Sequence, residues 1–248
     1  MIIGAQFYTV REFCKTPEGV AETLKRVADI GYKAVQISGT CPLDPAWLKA
    51  ELDKNGLICP LTHTKPDLIT GKTDAVIEAH DIIGAPYVGL GYRKIQAEGE
   101  GYDGFDRIFR PSMEKIAAAG KKFMYHNHAF EFEKLDGTII LDTLAERYSP
   151  ELMGFTLDTY WVKVGGYEPV DYLKKLAGRV DCVHFKDLGE EKRMEWVGNG
   201  TLNFAAIAAA CADAGTKYVF VEQDNCNGED PFECLKKSYD HIKSLGLE

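Results

Sequence analysis

The feature that most constrains this chain is an alternation running from one end to the other. Short β-rich runs are followed by longer amphipathic segments, and the runs recur eight times. The predicted strands are Ile2–Tyr8, Ala34–Ser38, Ile58–His63, Tyr87–Leu90, Phe123–His128, Met153–Asp158, Cys182–Lys186 and Tyr218–Gln223. Predicted helices lie between them: Glu18–Ile30, Ala46–Asn55, Asp74–Ile83, Ile108–Ala119, Val170–Leu176, Phe204–Ala214 and Pro231–Leu245. A strand that is followed by a helix returns parallel to its predecessor. Eight such units in 248 residues allow roughly 31 residues each, the size a closed (β/α)8 barrel needs.

The punctuation agrees. Thr16-Pro17-Glu18 offers an N-cap, a proline at the first helical position and an acid in the first turn. Gly31, Gly56, Gly84, Gly120 and Gly215 each close a helical pattern just before a strand. An open doubly wound sheet is the competing architecture, but no G-x-G-x-x-G follows the first strand. The expected organisation is one barrel domain over residues 1–248. Asp136-Gly137 signals a small hairpin after strand five, with Glu131 and Glu133 expected on it. The Gly- and charge-rich stretch Tyr92–Phe105 reads as a candidate lid.

Composition narrows the function classes. The formal charge of -9 argues against a broad phosphate-binding surface, and so against nucleic acid. No apolar run is long enough to span a bilayer, so no membrane partner is expected. The N-terminal segment lacks the basic and apolar regions of a signal peptide. Seven scattered cysteines without a C-x-x-C pair fit a reducing cytoplasm better than a zinc knuckle or redox motif. A homo-oligomer is compatible with such a barrel, though nothing in the sequence fixes the assembly state.

Side chains alternate between the two faces of a strand. In a barrel the outward face is apolar, and functional groups collect at the carboxyl ends of the strands. This alternation sends Gln6, Gln36, His63, His126 or His128, Asp158, His184, Lys186 and Glu222 to one mouth. Burying so many ionisable groups without partners costs several kcal/mol each, and a metal ion removes that cost. Asp158, His184 and Glu222 with His126 make a four-ligand N/O set, suited to Mn, Mg, Co, Fe or Zn. Lys186 and His63 read either as substrate contacts or as internally paired groups. Gln6 and Gln36 read as ligands for sugar hydroxyls or as partners of each other. Trp161 reads as a packing residue or as a face for a sugar ring.

The segments YHNHAFEF, LDTYWVKVGG, GRVDCVHFKD, WVGNGTLNF and VFVEQD, in this order, resemble the sugar phosphate isomerase/epimerase family, the xylose isomerase-like TIM barrels. The resemblance implies Asp158, His184 and Glu222 as metal ligands. It implies a glutamate at the end of strand five, where this sequence has His126 and His128. His126 is taken as the ligand and His128 as a substrate-binding group. The implied chemistry is proton transfer beside the carbonyl of a sugar or keto-polyol, with Glu222, His126 and Lys186 as the catalytic candidates. A sugar isomerase or epimerase is the first expectation, and a dehydratase or lyase of the same superfamily the second. An AP-type endonuclease is disfavoured by the acidic charge. A non-catalytic sugar-binding protein is the remaining alternative.

Overall fold

The computed structural model describes residues 1–95 and 101–247. Eight parallel strands close into a barrel: β1 Ile2–Gln6, β2 Ala34–Ile37, β3 Ile58–Thr64, β4 Tyr87–Leu90, β5 Lys122–His126, β6 Met153–Asp158, β7 Cys182–Phe185 and β8 Tyr218–Val221. Each pairs with its sequence neighbours, and β1 closes the ring against β8. The outer layer comprises α1 Pro17–Ile30, α2 Pro45–Lys54, α3 Pro66–Gly71, α4 Thr73–Ile83, α5 Gly101–Ala118, α6 Ile140–Arg147, α7 Thr159–Val164, α8 Pro169–Lys175, α9 Phe204–Ala214 and α10 Pro231–Ser244. None of the described helices is long and apolar enough to cross a membrane.

Local chemistry explains the boundaries. The Thr16 hydroxyl accepts from Gly19 N at 3.1 Å and Pro17 opens α1. Gly84 and Gly215 end α4 and α9 in the left-handed conformation, at φ 75° and 81°, which other residues adopt only under strain. Asp136 and Gly137, at φ 55° and 87°, form the two-residue turn between Lys134–Leu135 and Thr138–Ile139.

The layers divide as alternation requires. Val183 and Phe185 of β7 and Val219 and Val221 of β8 join the main core beneath the helices. Ala34, Leu61, Tyr87, Met124, Cys182 and Phe220 fill the barrel interior. This apolar plug seals the barrel below the carboxyl ends of the strands, so polar groups on the last inward positions stand above a dry base.

Three expectations are corrected. Strand one stops at Gln6, because the Gln6 side chain accepts from Tyr8 N at 2.6 Å and turns the chain into a 3-10 helix over Phe7–Phe13. Strict alternation through the predicted strand Ile58–His63 puts Cys59 and Leu61 on one face, but Cys59 joins the outer core and Leu61 the interior. Ala34 and Gln36 of β2 pair with Ile58 and Leu61, so β3 carries an extra residue there. Pro60, which has no N–H for the ladder, lies inside that bulge. Helix α5 starts at Gly101, before the expected Ile108, and carries Pro111 internally. Of the candidate lid, residues 96–100 lie outside the described residues and Gly101–Phe105 is helix.

Candidate metal centre and active site

Register brings the inward residues together. His184 of β7 is level with Asp158 of β6 and with Phe220 of β8. His126 of β5 is level with Thr156, and Gln6 of β1 with Gln36 of β2. As a result, one nitrogen each from His126 and His184 and one oxygen each from Asp158 and Glu222 lie within 4.8 Å of one another. All four residues are buried.

The donor set fits a divalent cation on three observations. His126 Nδ1 lies 2.9 Å from Gly91 O, so that nitrogen carries the proton and Nε2 keeps its lone pair. His184 Nε2 lies 2.7 Å from Gln36 Oε1, leaving Nδ1 turned inward. His184 Nδ1 and Glu222 Oε2 are 2.8 Å apart, yet neither has an aligned hydrogen-bond partner. They converge on a common point instead of bonding to each other. His126 Nε2 sits 3.5 Å from Asp158 Oδ2, on the same side as the other two donors. A cation between them gives each of the four donor atoms an attractive partner. Without one, a proton takes the place. Burial lowers the His184 pKa, but Glu222 and Asp158 outweigh burial and raise it to about 9.

Surrounding groups hold the ligands in place. Gln6 Nε2 donates to Glu222 Oε1 at 2.9 Å. Trp161 N donates to Asp158 Oδ1 at 3.0 Å, and Asp158 N donates to Asn127 Oδ1 at 3.0 Å. Burial raises the Glu222 pKa, but Lys186 and His184 more than offset this and hold the carboxyl well below the usual range. Gly91 has to be glycine for steric reasons: a Cβ there would lie 2.8 Å from His63 Nδ1 and 2.9 Å from its Cγ.

A cavity of about 360 Å³ opens above the cluster, lined among others by Gln6, His63, His126, His128, Lys186 and Glu222. Asp158 and His184 are fully buried and do not line it. Lys186 is 1% exposed, with Nζ 2.7 Å from Asp224 Oδ2, 3.7 Å from Glu222 Oε2 and 3.8 Å from Asp158 Oδ2. Burial lowers its pKa, but these carboxylates outweigh burial, so it is an ammonium. His63 is kept neutral, first by burial and then by His126 and His184. His128, beyond the end of β5, is lowered to about 3 by burial and then by His126. His63 Nε2, His128 Nδ1 and Asp224 Oδ1 are buried without partners, which leaves polar atoms for a hydroxylated ligand.

Several expectations change here. Gln36 does not line the cavity; it is the hydrogen-bond partner of His184, not of Gln6 or a sugar. Trp161 also lies behind the lining, with its ring centroid 5.4 Å from His128 and 5.2 Å from Lys186 Nζ. Lys186 pairs with Asp224, whereas Asp187 accepts from the backbone of Leu188, Gly198, Gly200 and Leu202 and shapes a loop. Glu131 is not on the hairpin. It is 0% exposed in a 3-10 turn, 2.7 Å from the Tyr125 hydroxyl and from His128 N, and burial pushes its pKa up to about 8. Sequence reasoning missed Asp224 and the organising role of Glu131.

No family model matches the chain. Inosose dehydratase of Geobacillus kaustophilus is 27% identical over 217 residues, covering 74% of this chain and 66% of that protein. Inosose dehydratase of Bacillus cereus is 26% identical over 162 residues, covering 57% and 52%. The chain thus spans less than two thirds of the length of these relatives. Among solved structures, a sugar phosphate isomerase/epimerase from Parabacteroides distasonis superposes with a TM-score of 0.81 at 22% identity, covering 98% of this chain and 93% of that one. A D-allulose 3-epimerase from Methylomonas sp. gives 0.74 at 17% identity, covering 99% and 98%. At these identities the likeness establishes the shared (β/α)8 barrel fold alone.

Proposed function

We propose that this protein is a metal-dependent dehydratase of cyclic keto-polyols. It removes a proton from the carbon beside a carbonyl and expels water from the next carbon. The observation that carries this reading is the asymmetry of the cluster. The end of β5 holds the imidazole of His126 where a second carboxylate would be needed to pair with Glu222. The sequence relatives that share part of its length are inosose dehydratases.

His126, Asp158, His184 and Glu222 would hold the cation. When bound, it supplies Lewis acidity toward a carbonyl oxygen in a site sealed from below. Glu222 lines the cavity as an ionised carboxylate with Oε1 fixed by Gln6, and it accepts the C–H proton. Lys186, an ammonium on the same cavity, gives a proton to the departing hydroxyl, which leaves as water. The C–O bond breaks as the C=C bond forms. The proton on Glu222 then returns to Lys186, 3.7 Å away. His63 and His128, each with an unpartnered nitrogen, bind ring hydroxyls, whereas Gln6 is spent on Glu222 and Tyr8.

An isomerase or epimerase shares the first step. Epimerisation also needs an acid on the opposite face of the carbon, and the strand-five residue there is committed: His126 Nδ1 bonds Gly91 O and Nε2 faces Asp158. The test is incubation of Mn²⁺-loaded protein with a keto-inositol in D2O, followed by NMR. Loss of water to an unsaturated ketone or its dicarbonyl tautomer is expected. Deuterium incorporation with every hydroxyl retained would transfer the protein to the isomerases, and no change with any keto-polyol would remove the catalytic reading.

A further inference from the structure

A second cavity, of about 450 Å³, lies beside the catalytic one. It runs between α2 and α4 and shares Ser38, His63, Thr64 and Lys65 with the catalytic cavity. Its walls are mostly apolar, although the exposed Lys65 and Lys72 also line it. Leu43 and Leu48 bound one side, and Leu68, Val76 and Ile83 the other. Leu68 stays 36% exposed at its margin, an apolar area with no intramolecular cover.

The groove has one built polar element, and its proton directions can be worked out. His80 Nδ1 lies 2.7 Å from Val76 O; a carbonyl only accepts, so Nδ1 carries the proton. Burial, then Lys121, lowers the His80 pKa to about 4, so the ring is neutral and Nε2 is bare. The Thr62 hydroxyl, 2.9 Å from Nε2, must therefore donate to it. That uses the single proton of Thr62, so Thr64, 2.9 Å away, donates to Thr62. The proton of Thr64 is spent as well. At the edge shared by the two cavities, Thr64 offers only a lone pair. Whatever binds there brings a donor, and whatever fills the rest of the groove meets mostly apolar walls.

We propose that this groove is a second compartment of the same site. The substrate is then a keto-sugar or keto-polyol ring bearing an apolar substituent. The ring sits over the metal cluster, the substituent lies between α2 and α4, and a ring hydroxyl beside the point of attachment donates to Thr64. This rests on the placement of the ring in the preceding subsection.

Methyl and phenyl β-D-glucopyranoside serve as unreactive probes, titrated calorimetrically into the Mn²⁺-loaded protein. The phenyl compound is expected to bind at least about tenfold more tightly, as burial of a ring's apolar surface implies. Ala75→Phe and, separately, Ala79→Phe fill the groove from α4 and bring the affinity ratio toward unity, with thermal melts reporting the fold. Thr64→Val weakens both ligands. Equal affinities in the wild type, a ratio that survives in both folded phenylalanine variants, or no binding of either glucoside overturns the proposal. Metal content measured on the same samples separates the two readings. A protein that keeps its cation but gains nothing from the phenyl group loses only the groove. A protein with no saturable cation loses the catalytic reading.

Discussion

Replacing Gln36 with leucine probes the metal centre without touching a ligand. Gln36 and His184 are both 0% exposed, and Gln36 Oε1 is 2.7 Å from His184 Nε2. Leucine strands a buried N–H, a cost of about 1–3 kcal/mol. The ring can escape that cost by giving up its Nε2 proton and keeping the one on Nδ1, where Glu222 Oε2 lies 2.8 Å away. Fixing the proton on Nδ1 protects the fold but spoils the ligand, because Nδ1 then has no lone pair to give to the cation. Loss of such a supporting bond typically lowers metal affinity by about 10- to 100-fold, or about 1.4–2.7 kcal/mol. Competition titration of Mn²⁺ or Zn²⁺ against a fluorescent chelator at fixed neutral pH measures this. Gln36→Glu keeps an acceptor and is expected to hold its affinity. A folded Gln36→Leu protein that binds the cation like the wild type would show that His184 Nδ1 is not a ligand atom.

Three further outcomes follow from the same structure. Gly91→Ala drives a methyl group into the His63 ring and is expected to cost about 1–3 kcal/mol of stability and to cut turnover; an unchanged urea midpoint and rate would contradict the close contact. His80 titrates near 6.5 when unfolded and at about 4 when folded, so the unfolded state binds the proton first. Its contribution is complete above about pH 6.5 and falls as pH drops through about 4, by about 3 kcal/mol in all. Urea melts of the wild type and His80→Gln across that range should show the difference between them shrinking; a constant difference refutes the assignment. Phe220, 0% exposed inside the barrel, is expected to cost about 3–5 kcal/mol on replacement by alanine, and a thermal melt within a degree or so of wild type would argue against the packed interior.

The barrel was legible because two periodicities alternated cleanly and helix ends carried their signals. Tyr87–Leu90 and Met153–Asp158 match their predicted limits for that reason. Asp158, His184 and Glu222 were legible too, since strand alternation fixes a face without any knowledge of partners. Partners are what alternation cannot supply. Gln36 faces inward as expected, yet only register and the 2.7 Å contact show that it serves His184 and not a ligand. Glu222 directly follows β8, but Asp224 lies three residues past its end, where the chain has left the pleat and parity no longer predicts direction. Glu131 looked like part of a polar hairpin because its neighbours are charged, and nothing local announced the buried Tyr125 hydroxyl beside it. The bulge at Cys59 had one local sign, Pro60, whose missing N–H breaks the ladder.

The central claim is that two imidazoles and two carboxylates at the barrel mouth grip one divalent cation. Elemental analysis after loading and desalting tests it most directly, on the wild type beside Asp158→Asn and Glu222→Gln. The account expects a stoichiometric cation in the wild type and most of it lost in each variant. Equal metal content in all three folded proteins would contradict it.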